Sequence, residues 1–103
     1  MRTVEQTLEE GLIEAGYWGK EDGAFNADGP SVGIVLVRIQ RRLASGVSLD
    51  FHVPAIGQPR REAWLVRNND RHFLATGQTI SDAICNAAMA LPDFLKNHPE
   101  CEN

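Results

Sequence analysis

The chain has 103 residues, 43% of them hydrophobic and 23% charged, and a formal net charge of −4. That length suits one domain with a real core, and the balance is that of an ordinary globular protein, which excludes global disorder. No window reaches the ~18 consecutive apolar residues of a membrane span, and the opening MRTVEQTLEEG lacks the apolar run of a signal peptide, so a cytoplasmic protein is expected.

Thr3 can cap a first helix running to Ala15, with Val4, Leu8 and Leu12 on one face and Gly16 placed to end it. Its outer face is acidic. Tyr17 and Trp18 follow at once, then a polar, glycine-containing loop over residues 19–29 that reads as a mobile segment with an aromatic anchor. A second helix is expected over residues 31–44, because Val32, Val35, Leu36, Ile39 and Leu43 fall on a helical stripe.

Strand signals then take over. In VSLDFHV, Leu49, Phe51 and Val53 alternate with Ser48, Asp50 and His52, the period of a half-buried strand. Residues 62–67 make a second strand, Asn68, Asn69 and Asp70 a turn, and residues 71–75 a third. A last helix, capped by Thr79, is expected from Ile80 to about Leu91, with Ile80, Ala83, Ile84, Ala87, Ala88 and Leu91 inward; Pro92 ends or kinks it, Phe94 and Leu95 can pack as a final turn, and the tail over residues 97–103 is expected to fray. The expected fold class is α+β, in the order α-α-β-β-β-α: a three-stranded antiparallel sheet with helices packed on one face. It forms a single domain over residues 1–96, in which residues 1–30 are the acidic helix plus loop and residues 31–96 the α-β-β-β-α unit.

Charge is segregated along the chain. Residues 1–30 carry two cations against seven carboxylates, residues 31–71 seven arginines against three carboxylates, and residues 72–103 one lysine against four carboxylates. An arginine cluster can grip phosphate or acidic protein surface, or be neutralised within the fold by the acidic first helix. Arginine without lysine suits a protein interface. The candidate partner-binding residues are therefore Glu9, Glu10 and Glu14 on the first helix, Tyr17 and Trp18 after it, and Arg38, Arg41, Arg42, Arg61, Arg67 and Arg71 in the middle. Trp64 and Val66 point opposite to Ala63 and Leu65, which leaves Trp64 either in the core or on an interface.

Chemistry is sparse. Asp50 and His52 share a strand face that Glu62 can approach, a conceivable acid/base set, but a row of ordinary polar residues on an exposed sheet face explains them as well. No phosphate loop or nucleophile elbow is present, and His98 with Cys101 offers two metal ligands without a second cluster, so neither an enzyme, a cofactor nor a metal is expected. Cys85 reads as a buried, inert thiol.

Two resemblances add to this. The pattern G-x-T-x-x-x-A-x-x-x-A-A from Gly77, after three strands and a helix, resembles the end of a double-stranded-RNA-binding domain over residues 31–91; that family's helix-start lysines are Ile80, Ser81 and Ile84 here. Trp64 together with Ala83, Ile84, Cys85, Asn86, Ala87 and Ala88 is similar to the phage ABA-sandwich domain of small phage and prophage proteins, over residues 31–95. The second resemblance implies a phage context. The expected function is a small non-enzymatic protein, monomer or homodimer, that binds a host protein or protein complex in the host cytoplasm as an anti-defence, anti-CRISPR-like inhibitor; a nucleic-acid-binding module is the alternative, and no membrane is involved.

Overall fold

Both ends of the first helix are written by local signals. The computed structural model describes residues 3–27 and 29–103; Met1, Arg2 and Asp28, the latter two counted in the N-terminal charge block, lie outside the described residues. Helix α1 (Val4–Ala15) opens on a reciprocal capping box, in which the Gln6 N–H donates to Thr3 Oγ1 at 3.1 Å and the Thr3 N–H to Gln6 Oε1 at 2.9 Å. It closes at Gly16, whose φ of +88° is the left-handed conformation that glycine adopts without strain. Leu8 and Leu12 are buried, while Val4 stays exposed.

Helix α2 (Ser31–Arg42) forms where the apolar stripe places it, with Val32, Val35 and Ile39 inward. It stops two residues before the expected end, because Leu43 turns extended and bridges to Glu102. Strands β1 (Val47–His52), β2 (Arg61–Arg67) and β3 (Asp70–Gly77) form an antiparallel meander with β2 central. Asp50 faces Trp64, which faces Phe73; an irregularity at Ala63 and Trp64 shifts the β2–β3 register by one residue and leaves Leu74 without an opposite partner.

Helix α3 (Ile80–Asn97) is capped by Thr79, whose Oγ1 accepts the Asp82 N–H at 3.2 Å, and it runs through Pro92. A proline inside a helix costs about 3 kcal/mol, whereas burying Leu95 and much of Phe94 beyond it returns roughly 1.5–3 kcal/mol per side chain, so the buried face carries the helix past the break. At its start α3 lies almost on the sheet: a Cβ on the buried Gly77 would overlap the Ala83 amide and stand 2.6 Å from the Asp82 carbonyl carbon. The alanines Ala83, Ala87 and Ala88 are buried by the same close approach.

The tail is docked where fraying was expected. Cys101 is 1% exposed, the Ala44 N–H donates to Cys101 O at 2.8 Å and the Asn103 N–H to Arg42 O at 2.8 Å. These bonds satisfy the carbonyls and amides left over where α2 ends early. One core cluster joins Leu8 and Leu12 of α1, Val35 and Ile39 of α2, Leu65 of β2, Leu91 of α3 and Cys101, so the acidic helix and the rest share a core. Among the described residues, no helix is long and apolar enough to cross a membrane.

Candidate partner-binding surfaces

The segment after α1 turns inward. At Gly16 the left-handed turn folds the chain back, so that the amides of Tyr17 and Trp18 both bond Leu12 O, at 2.9 and 3.3 Å. Tyr17 and Trp18, expected at a partner surface, are 1% and 5% exposed and belong to the core. The Trp18 ring meets Phe25 edge-on at 5.4 Å, and its Nε1–H donates to Gly23 O at 3.0 Å. Residues 19–27 are therefore anchored by two aromatics, where one and a mobile loop were expected.

Arg38 completes that anchor. Its two terminal nitrogens donate to the two Asp22 carboxylate oxygens at 2.8 Å each, one of them also reaches Tyr17 O at 3.1 Å, and the guanidinium sits 5.6 Å from the Trp18 ring centre. The bidentate bond from Arg38, helped by the Gly19 N–H at 2.8 Å, holds the Asp22 carboxyl down at about 2 against an ordinary 3.8. Arg38 thus serves the fold first and an interface second.

The other arginines are dispersed. Arg41 and Arg42 are exposed on α2, with the Arg42 guanidinium 5.6 Å from the Tyr17 ring centre. Arg61 curls back on the Gln58 and Arg60 carbonyls at 2.9 and 3.0 Å. Arg67 is half-buried at the far end of β2, ~20 Å away along a seven-residue strand. Arg71 alone of the candidates stands on the outer face of the sheet. Glu10 and Glu14 are exposed on α1 and Glu9 is half-exposed. The middle block forms no single arginine patch.

What the strands do assemble is a ring cluster on the face away from the helices. Ala63 and Leu65 are buried beneath the helices, so alternation sends Trp64 outward, onto the open face. The Phe73 ring meets Trp64 edge-on at 5.5 Å and is half exposed, and the His52 ring meets it at 6.2 Å. The Arg71 guanidinium caps Trp64 at 5.6 Å from its ring centre and touches the His52 imidazole. The Trp64 Nε1–H leans toward Glu62 Oε1 at 3.4 Å, a long contact. Beside it, Asp50 lies opposite Trp64. The three residues weighed for acid/base work thus share a face, but their partners are Trp64 and Arg71.

Comparison with protein families, with curated proteins and with solved structures finds no match to this chain. The site therefore stands on its own geometry. Phe73 was absent from the sequence candidates, since pairing it with Trp64 depends on the register shift at Ala63 and Trp64. Both cysteines are buried and unbridged; burial pushes the Cys85 thiol up to about 11 and raises that of Cys101, the wrong direction for a reactive thiolate. Among the described residues no group of three His, Cys, Asp or Glu side chains is placed to hold a metal ion.

Proposed function

We propose that this chain acts by binding a protein partner on the open face of its sheet, with Trp64 and Phe73 as anchors and Arg71 and His52 as the polar edge. The observation that carries the reading is the uncovered ring cluster itself: a half-buried tryptophan in contact with two further rings and an arginine, on a sheet face that no helix among the described residues covers. Tryptophan and arginine are the residue types on which interface binding energy concentrates. The face mixes one arginine with Asp50 and Glu62, a balance that suits a protein surface better than a phosphate backbone, which asks for a continuous cationic stripe. The narrower form of the proposal is inhibition of a bacterial host complex, supported by the phage-type pattern around Trp64 and Ala83 to Ala88.

The test is a comparative capture from bacterial lysate with the immobilised chain, its Trp64→Ser and Phe73→Ser variants and an Arg41→Glu variant, read by mass spectrometry. One protein, retained by the parent chain and by Arg41→Glu but lost with both sheet-face variants, is the expected result. A partner retained equally by the sheet-face variants refutes the assignment of this face, and a nuclease-sensitive capture moves the reading to nucleic acid.

A further inference from the structure

A second exposed surface has its own peculiarities. On the solvent side of α2, Ile34 and Val37 are 40% and 46% exposed, one turn apart, and together with Pro30, Gly33, Arg38 and Arg41 they line a shallow groove of about 400 Å³. Helix α2 carries three arginines and no carboxylate. Gly33 is the odd member of this surface. Its backbone needs no left-handed φ, and a Cβ placed on it would meet nothing within 4 Å. Neither conformation nor packing within one copy calls for a glycine there, and glycine weakens a helix relative to alanine. A bare backbone on an apolar helix face is what lets another helix approach closely.

What fits against it is fixed by charge. A second α2 does not, because it brings no carboxylate to Arg41, the groove arginine left over once Arg38 is paired with Asp22. The matching surface is on the same chain: the outer side of α1 exposes Ile13 and Glu14, and the helix VEQTLEEGLIEA carries four glutamates and no cation. We infer that two copies of this chain associate through reciprocal contacts in which α1 of one lies on the Gly33, Ile34, Val37 and Arg41 face of α2 of the other. A two-fold axis that lays α1 of one copy on α2 of the other also lays the second α1 on the first α2, so the same contact forms twice. The surface is separate from the open sheet face, and neither proposal depends on the other.

Sedimentation velocity on the full chain, from about 5 to about 200 µM and at about 50 and 500 mM sodium chloride, tests it. A monomer–dimer equilibrium is expected, weakened about tenfold or more by the higher salt. Val37→Glu and Gly33→Leu each weaken it by about tenfold or more, Arg41→Glu does the same, and Arg41→Glu combined with Glu14→Arg restores it to within about threefold of the parent. Trp64→Ser leaves it unchanged. A chain that stays monomeric across the whole range overturns the inference, as does a dimer indifferent to Val37→Glu, or one lost with Trp64→Ser, which would lie on the sheet face. Circular dichroism of each variant keeps a folding failure from being read as lost association.

Discussion

Replacing Tyr17 by phenylalanine is expected to stabilise this protein, the reverse of the usual consequence of deleting a tyrosine hydroxyl. The Tyr17 side chain is 1% exposed, and its hydroxyl has no hydrogen-bond partner among the described residues. Folding strips that hydroxyl of water and returns nothing, a penalty of about 1–3 kcal/mol for a neutral polar group. Phenylalanine keeps the ring, its packing and the Arg42 guanidinium 5.6 Å from the ring centre, so the favourable terms survive the change. The net gain should be about 1 kcal/mol, a rise in melting temperature of roughly 4–8 °C for a domain of this size. Urea unfolding followed by tryptophan fluorescence measures it, since Trp18 lies in the same core.

A second reading of the same pair comes from alkaline pH. Burial raises the Tyr17 hydroxyl above its ordinary 10.0. A group whose folded value is raised keeps its contribution below the unfolded value and loses it as pH rises through the folded one, so the parent chain should lose stability above pH 10 by a component that Tyr17→Phe lacks. A Tyr17→Phe protein less stable than the parent at neutral pH, with the same alkaline loss, would show that the hydroxyl is satisfied and refute the reasoning.

Three further variants probe other parts of the fold. Asp22→Asn should lower the urea midpoint and flatten its acid dependence: the carboxyl held at about 2 against an ordinary 3.8 stabilises above 3.8, and that contribution is lost as pH falls toward 2, which denaturation titrations from neutral to strongly acid pH will resolve. Gly77→Ala should cost about 1–3 kcal/mol in thermal or chemical unfolding, because the added methyl meets the backbone at the start of α3 and has no flexible side chain to displace. Removal of residues 99–103 should cost roughly 2 kcal/mol by the same measurement, since it uncovers the site filled by Cys101 and deletes the bonds to Arg42 and Ala44; a truncated chain as stable as the parent would mean the tail frays after all.

How much of this was legible in the sequence varied with how local its cause was. Thr3, Gly16 and Thr79 act within a turn of their own position, and each marks the helix end it was read as marking. The stripe of α2 and the alternation of Leu49 with Asp50 or of Leu65 with Trp64 are likewise properties of a few consecutive residues, and they placed helices and strands in the right order. At Pro92 the sequence left open whether the helix ends or continues, because the proline's cost is local while the burial of Leu95 that outweighs it comes from the rest of the fold. The tail was illegible for the same reason: the partners of Cys101 and Asn103 are some sixty residues away in the chain, at Ala44 and Arg42.

The candidate site shows the same division. Tyr17 and Trp18 look like surface aromatics beside a polar loop until the Gly16 turn sends both inward, and the arginine-rich block looks like one patch until α2 and the sheet distribute it over separate surfaces. Strand parity already set Trp64 opposite Ala63 and Leu65; only the fold decides that the helices take the Ala63 side. Phe73 joins Trp64 through a register shift that no pattern of apolar residues announces.

The most direct test of the open-face proposal is the affinity of the captured partner for the chain before and after Trp64→Ser, by isothermal titration calorimetry. The side chain is half-buried and contacts two rings and an arginine, so the variant should lose some stability, read separately by urea unfolding, while binding of the folded variant falls about 30-fold or more, the loss of a central aromatic anchor. An affinity unchanged within about twofold, in a variant that folds normally, would contradict the account.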